Sequence, residues 1–365
     1  MTCFNPLRAW KQNHARLDTD PNIYYNLKKI SFREVKGRPE IEIPCGHCLG
    51  CRLDHAAMWA TRISLEAKNW EKCCFITLTY NNPNLPINNK GFATLQKKDL
   101  QDFLKRLRYY EKGNESWTHP LTGKEENPIR YFACGEYGPK LGRPHYHLAI
   151  FNWEPKDLEK YKMNKHGDWS FKSKSLQKIW GKGFVVVEEL NYNTASYIAR
   201  YVQKKAGIEP IKREYTGNLI PEPKIDERNG QEFIHWKKEV KKQEFNKEPE
   251  FLTMSRGVGI GRMYWEENKE KIKRNKGIFL KIKEKLHLKP IPKYFEKIWE
   301  QENYEEYYRY KYEKQKEGEK HKIEILSRIK LPEGTWEEKK WEFYLEEKAK
   351  ILTEKAKYLK RNEFI

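Results

Sequence analysis

Two runs rich in apolar and aromatic residues, RYFACGEY and HYHLAIF, flank a turn full of Gly and Pro, GPKLGRP. A link that short returns the chain antiparallel to itself, because parallel neighbours need a crossover of a dozen residues or more. Strands are therefore expected over Arg130–Tyr137 and His145–Phe151, and a doubly wound parallel sheet is disfavoured. Cys73–Tyr80 and Phe184–Val187 read as further strands, with a short one near Glu40–Ile43. Leu53–Trp70, Leu95–Tyr110, Ser175–Trp180 and Thr194–Lys205 carry apolar residues at helical spacing. The expected fold is α+β, a central antiparallel sheet of about five strands flanked by helices. Residues 207–262 hold Pro210, Pro221, Pro223, Pro249 and a glycine cluster at Gly257, Gly259 and Gly261, and are expected to be loop-rich. Beyond about residue 263 the chain is Lys- and Glu-rich with scattered aromatics, which reads as a mostly helical C-terminal region. The expected organisation is a basic N-terminal segment, 1–44, then a chemistry-bearing domain, 45–262, that includes the Cys-rich segment 45–51, then the helical region 263–365.

Charge narrows the partner. The 365 residues include 72 basic and 52 acidic ones, a net +20, but only 16 basic and 15 acidic residues follow position 300, so the first 300 carry an excess of 19. Such a surplus favours a polyanion, nucleic acid before a membrane surface. The near-neutral stretch after Gln301 carries no site motif, so a chain ending there is expected to keep its chemistry. No run approaches 18 apolar residues, and MTCFNPLRAWKQNHARLD lacks the apolar core of a secretory signal. Seven cysteines, three of them at Cys45, Cys48 and Cys51, fit a reducing cytoplasm and metal binding or free thiols better than a disulfide framework. There is no Gly-x-x-x-x-Gly-Lys-Ser/Thr, so no ATP-driven strand-separating module is recognisable and a partner is expected to supply that work.

In a strand, residues i and i+2 share a face. His145 and His147 thus offer two imidazoles to one divalent ion while Tyr146 points the other way. The hairpin would bring Glu136, nine residues upstream of His145, beside them as a third ligand. Taken alone, the pair reads equally well as two strand histidines satisfied by other partners. On the helix, Tyr197 and Tyr201 lie at i and i+4, and Lys204 follows Tyr197 by seven, so the three share one face. A phenol, with a pKa near 10, is a poor nucleophile unless a metal polarises its target and a cation steadies the charge. Alone, the two tyrosines read more readily as packing residues.

Together these motifs resemble the HUH endonuclease superfamily, the replication initiators and relaxases. Phe75-Ile76-Thr77-Leu78-Thr79 is similar to its first motif, His145-Tyr146-His147 to its His-hydrophobic-His, and Tyr197 through Lys204 to its Tyr-x-x-x-Tyr-x-x-Lys. The order CGHCLGCR, FITLTYNN, GEYGPKLGRPHYHLAIF, YIARYVQKK is similar, more closely still, to the replication initiators of gokushovirus-type microviruses, small phages with circular single-stranded DNA. The resemblance covers about residues 45–206 and extends less specifically to MSRGVGIG at Met254–Gly261. It implies rolling-circle initiation. Mg²⁺ or Mn²⁺ held by His145, His147 and Glu136 polarises the scissile phosphate. A tyrosine then attacks single-stranded DNA to give a 5′-phosphotyrosine and a free 3′-OH, and the strand is later rejoined. Members differ in the residue that supplies the third ligand, so Glu136 rests on its place in the hairpin. Lys204 would steady the phosphate, and its closeness in sequence favours Tyr201 for the first attack. Arg143, Arg200 and Lys205 are expected DNA contacts. The implied partners are single-stranded DNA or a viral replicative-form origin and a host helicase and polymerase, with no membrane, in the host bacterial cytoplasm.

Cys45-x-x-Cys48-x-x-Cys51 has a spacing suited to structural Zn²⁺, with a fourth ligand expected from His55, Cys73, Cys74 or Cys134. Two alternatives stand beside the initiator: a zinc-containing nucleic-acid-binding protein without catalysis, and a transposase or relaxase with the same chemistry. Formation of a covalent protein–DNA adduct separates the enzyme from the binder.

Overall fold

A computed structural model describes residues 3–11, 30–34, 36, 40–112, 117–138, 141–164, 167–204, 212–225, 232–244, 247–331 and 339–358; side chains at 201–204, 212–225 and 232–244 lie outside the description. In chain order the elements begin β1 (Leu7–Lys11), β2 (Ile30–Ser31), β3 (Glu40–Ile43), α1 (Leu49–Ala67), β4 (Cys73–Tyr80) and α2 (Lys97–Lys112). There follow β5 (Trp117–Thr118), β6 (Glu125–Glu126), β7 (Arg130–Tyr137), β8 (Pro144–Phe151), β9 (Leu158–Met163), β10 (Trp169–Ser173), α3 (Lys174–Trp180), β11 (Gly183–Glu189) and α4 (Tyr192–Lys204). The rest are β12 (Lys212–Ile225), β13 (Glu232–Glu244), β14 (Phe251–Met254), α5 (Arg262–Arg274), β15 (Ile278–Ile282), β16 (Lys285–Lys289), α6 (Lys293–Glu302), α7 (Tyr304–Arg328) and α8 (Lys340–Tyr358). They form two compact units, residues 63–264 and residues 1–62 with 265–365. The Cys-rich segment 45–51, assigned on sequence to the chemistry-bearing domain, groups with the second unit, as do the strands of 1–44.

The 63–264 unit is built on a seven-stranded sheet in the order β14-β7-β8-β4-β11-β10-β9, every neighbouring pair antiparallel. All eight residues of β8 are buried, which explains its nearly unbroken apolar run. Strand alternation divides the side chains. Ile76, Leu78 and Tyr80 of β4, Tyr146, Leu148 and Ile150 of β8, and Val185 and Val187 of β11 join one core with Leu100, Phe103 and Leu107 of α2 and Leu176 and Trp180 of α3. Helix α4 packs against β7, β8 and β14, with Ala195, Ile198 and Ala199 buried. Gly135 shares the register position of Tyr146, and a Cβ there would lie 2.8 Å from the Phe251 ring, so only glycine lets β14 close over β7. Helix α3 is punctuated at both ends: Leu176 donates its N–H to Ser173 Oγ at 3.1 Å, and Gly181 ends it at φ 67°.

The antiparallel α+β architecture is the expected one, but the sheet has seven strands. Strands β9, β10 and β14 gave little sequence signal; every residue of β9, LEKYKM, is exposed, so no apolar alternation marks it. Residues 207–262 are not predominantly loop. β12 and β13 pair as a long ribbon from Lys212↔Glu244 to Ile225↔Glu232, with Pro221 opposite Trp236 and Pro223 opposite Ile234. Each strand of a two-stranded ribbon is an edge, where a missing N–H need not break a ladder.

The other unit carries a three-stranded sheet, β2-β1-β3, and the helical C-terminal region. That region is interrupted by the β15–β16 hairpin, whose turn places Lys283 and Glu284 at φ 46° and 62°. A mirror-image turn of this kind usually announces itself by Asn-Gly. Trp299 of α6 stacks near Tyr310 of α7 at 4.9 Å and donates to Glu306 at 2.8 Å, so a chain ending near Gln301 would lose this packing.

One buried ion pair fixes the last turn of α1 to the large sheet. Arg130 Nε donates to Glu66 Oε1 at 2.7 Å, with side chains only 2% and 1% exposed. Arg130 Nη2 also donates to the Val258 carbonyl at 2.7 Å, and Gly261 N–H donates to Glu66 Oε2 at 2.6 Å. The glycines of MSRGVGIG thus close a turn over the ion pair; Gly257 sits at φ 92°, where an added Cβ would meet Glu126 at 2.8 Å. Arg130→Met strands the Glu66 charge and is expected to cost about 3–5 kcal/mol in urea unfolding, most of it regained in Glu66→Met/Arg130→Met. A loss below about 1 kcal/mol for the single variant would show that the pair does not hold these elements together.

Candidate functional site

The β7–β8 register sets the site. Glu136 pairs directly with His145, and Cys134 with His147, while Thr79 and Thr77 of β4 face the same two histidines from the other side. The turn that fixes this register is closed by Gly138 N–H to the Arg143 carbonyl at 2.8 Å and Gly142 N–H to the Gly138 carbonyl at 3.0 Å. Gly142 adopts φ 60°, the left-handed conformation that the Gly-rich linker supplies.

Glu136 Oε1 lies 2.5 Å from His145 Nε2 and 3.1 Å from His147 Nε2, and all three residues are buried. Their ligand atoms lie within 4.8 Å of one another. His145 Nδ1 is 3.2 Å from the Arg143 carbonyl, an acceptor, so Nδ1 carries the proton. In a neutral ring Nε2 is then a lone pair aimed at a carboxylate oxygen. Two acceptors at that separation require a cation between them, either a proton on the ring or a metal ion. The second carboxylate oxygen, Glu136 Oε2, is buried with no hydrogen-bond partner among the described residues. Burial alone would push the Glu136 carboxyl up, but the hydrogen bonds to His145 and His147 outweigh it and hold the group well below the usual carboxylate range. An anion fixed between two imidazoles, with an unused oxygen, is a donor set that fits a divalent ion. His147 Nδ1 bonds Thr77 Oγ1 at 3.0 Å, giving the ring an outer partner of the kind that orients metal-binding imidazoles. Thr77 was legible as part of FITLT, though its contact with His147 was not.

Tyr146, between the histidines, points into the opposite core. Its phenol donates to the Gln96 carbonyl at 2.8 Å and bonds Tyr80 Oη at 2.8 Å, and Tyr80 in turn reaches Asp99 of α2 at 2.7 Å. Burial pushes Tyr146 up to about 12, so it stays a neutral structural phenol.

Helix α4 brings Tyr197 to the histidine face. Its hydroxyl donates to Glu136 Oε1 at 3.1 Å, and its ring stands 4.9 Å from His147, nearly perpendicular, and 6.3 Å from Phe75. Arg200, one turn on, holds its guanidinium 5.5 Å from the Tyr197 ring centroid. Burial lowers its pKa while Tyr197 and Glu136 act to raise it; a guanidinium stays charged there. Tyr201 and Lys204 continue the same helix, but their side chains lie outside the described residues, as does Lys205 altogether. Arg143 donates to Asn82 Oδ1 at 2.9 Å and to the Tyr80 carbonyl at 3.0 Å, so much of its donor capacity is spent within the protein.

Cys45, Cys48 and Cys51 also converge, and a fourth thiol joins them: Cys3. None of the four partners expected on sequence does so. His55 is exposed, Cys73 and Cys74 direct their thiols to the Ala67 and Trp153 carbonyls, and Cys134 sits in β7 opposite His147. A cysteine 42 residues upstream, with no flanking motif, left only the odd cysteine count as a hint.

Residues 73–206 match the family described as Replication-associated protein ORF2. The chain is 33% identical over 272 residues to the replication-associated protein ORF2 of Spiroplasma virus 4, covering 73% of this chain and 70% of that protein. It is 33% identical over 205 residues to the replication-associated protein VP4 of Bdellovibrio phage phiMH2K, 56% of this chain and 58% of that one. The replication-associated protein ORF4 of Chlamydia phage 1 is 33% identical over 186 residues, 50% of this chain and 41% of its own. No solved structure matches the chain. Among the described residues no helix is long and apolar enough to cross a membrane. The matched stretch holds Thr77, Glu136, both histidines and the tyrosine helix, and with the similarity to Spiroplasma virus 4 it shows that the chain belongs to the replication-associated protein family of gokushovirus-type microviruses.

Proposed function

We propose that this protein initiates rolling-circle replication by nicking single-stranded DNA with a tyrosine and later rejoining the strand. The observation that carries the reading is the meeting of Tyr197 Oη, His145 and His147 on one buried carboxylate oxygen, Glu136 Oε1. A divalent ion, Mg²⁺ or Mn²⁺, held by Glu136, His145 and His147 would withdraw charge from the scissile phosphate. Tyr197 attacks phosphorus, the bond to the 3′ oxygen breaks, and the 5′ phosphate stays on the phenol oxygen. The phenol loses its proton and the departing 3′ oxygen gains one, leaving a 3′-OH for a polymerase. Arg200 stands beside the Tyr197 ring, where its charge favours the phenolate. Tyr201, four residues along the helix, is the second nucleophile, able to attack the regenerated junction while the first carries DNA, and Lys204 steadies the phosphate. The contact to Glu136 moves the first attack from Tyr201 to Tyr197. Affinity for single-stranded DNA comes from the basic surplus of the first 300 residues, Arg143 and Lys205 among it, at a replicative-form origin. A host helicase and polymerase in the bacterial cytoplasm complete the reaction.

Three outcomes test this. His147→Ala should reduce nicking of a labelled hairpin oligonucleotide by roughly 10³-fold or more, since a Lewis acid supplies several kcal/mol at about 1.4 kcal/mol per tenfold. Binding of the same DNA should change little, because affinity is spread over many phosphate contacts; undiminished nicking by this variant, or in excess chelator, would sink the metal site. At equal concentrations Mn²⁺ should support faster nicking than Mg²⁺, because imidazole suits the softer ion; the reverse order would argue that the histidines do not ligate. Tyr197→Phe and Tyr201→Phe should each retain some covalent adduct on a denaturing gel and the double variant none. One dead and one fully active single variant would instead mean a one-tyrosine nickase.

A further inference from the structure

The four converging cysteines lie in the unit formed by residues 1–62 and 265–365 and take no part in the proposed nicking chemistry. Cys3 Sγ is 3.7 Å from both Cys45 Sγ and Cys48 Sγ, Cys45 Sγ is 4.0 Å from Cys51 Sγ, and all four sulfurs lie within 4.8 Å of one another. Four Zn–S bonds of about 2.3 Å at tetrahedral angles require S···S edges of about 3.8 Å. Disulfides would require about 2.05 Å, and all seven cysteines are free. An iron–sulfur cluster needs room for several irons and inorganic sulfide among its thiolates, which sulfurs this close do not leave.

The backbone is arranged for thiolates. Cys45 N–H donates to Cys3 Sγ at 3.4 Å, Cys48 N–H to Cys45 Sγ at 3.3 Å, and Cys51 N–H to Cys48 Sγ at 3.4 Å. Three of the four sulfurs therefore accept a main-chain N–H, a bond that favours the charged form over the thiol. Gly46, at φ 78°, supplies the left-handed residue that folds Cys45 back towards Cys48. Cys3 is 1% exposed and Cys51 9%, so two of the four sulfurs would be costly to bury as unpartnered anions.

We propose that Cys3, Cys45, Cys48 and Cys51 hold one structural zinc ion as a closed tetrathiolate site. Zinc replaces a thiol proton at each ligand, so four protons are released per ion bound when all four begin as thiols. The site clips residue 3, ahead of β1, to the turn after β3 and to the first turn of α1. It closes a 42-residue separation, where a crosslink removes substantial chain entropy from the unfolded state. All four positions are filled by protein, which leaves no place for substrate, so the ion stabilises rather than catalyses.

The test uses the full chain prepared without chelators. Metal analysis is expected to give about one zinc per chain, released as a thiol-specific mercurial consumes the four cysteines. Cobalt substituted for zinc should show the intense visible bands of a tetrahedral tetrathiolate. Cys3→Ser should shift those bands to the blue and weaken zinc binding by more than the roughly 10–100-fold typical of losing an outer-shell partner, whereas Cys73→Ser should leave the spectrum unchanged. If Cys3→Ser does not fold, Cys3→His, which keeps a tetrahedral donor, decides: blue-shifted bands support the site, and bands identical to the parent overturn it. Zinc-free parent protein with seven reactive thiols on unfolding, an iron-loaded protein, or a Cys3 variant with the parent's cobalt spectrum and zinc affinity would each refute the assignment.

Discussion

The register of the β7–β8 hairpin is the constraint on which the rest of the site depends. With Glu136 opposite His145, the carboxylate and both imidazoles fall on one face of the sheet, and Tyr146 falls on the other. A slip by one residue would send both histidines into the core and Tyr146 towards α4. Three things oppose that slip. The turn is closed by paired hydrogen bonds, β8 is buried on both faces, and Tyr146 is tied by its phenol to α2. The large residue between the histidines thus does structural work that a plain hydrophobic residue could not, because its hydroxyl reaches Gln96 and Tyr80.

What could be read in the sequence was local and periodic. The Gly/Pro turn between two apolar runs announced the hairpin, the i, i+2 histidines announced a shared face, and the nine-residue gap to Glu136 was short enough to close by folding back. What could not be read depended on distance or on the absence of periodicity. Exposed β9 has no alternation to detect, the prolines of β12 argued against a strand that is only ever an edge, and Lys283-Glu284 form a mirror turn without glycine. Cys3 was hidden differently: three cysteines in a tight motif asked for a fourth, and nothing local could say it stood at the far end of β1. Arg130, paired with Glu66 from 64 residues earlier, is the same problem in the core.

The two sulfur- and nitrogen-based clusters belong to different compact units and have opposite character. The cysteine group is complete, with each position met by a side chain and the backbone. The histidine group offers three ligands and an unused carboxylate oxygen. A filled shell suits holding a fold together, and an incomplete one suits a reaction at its open side.

The ligands Glu136, His145 and His147 come from neighbouring rungs of one ladder, so their spacing is a property of strand geometry itself. The tyrosine comes from a separate helix that meets this ladder through a single phenolic contact to Glu136 and ring packing on His147 and Phe75. The reactive group is therefore an interchangeable part: sequence can drift along α4, gaining or losing a hydroxyl or moving it by one turn, while the anvil against which it strikes keeps its shape.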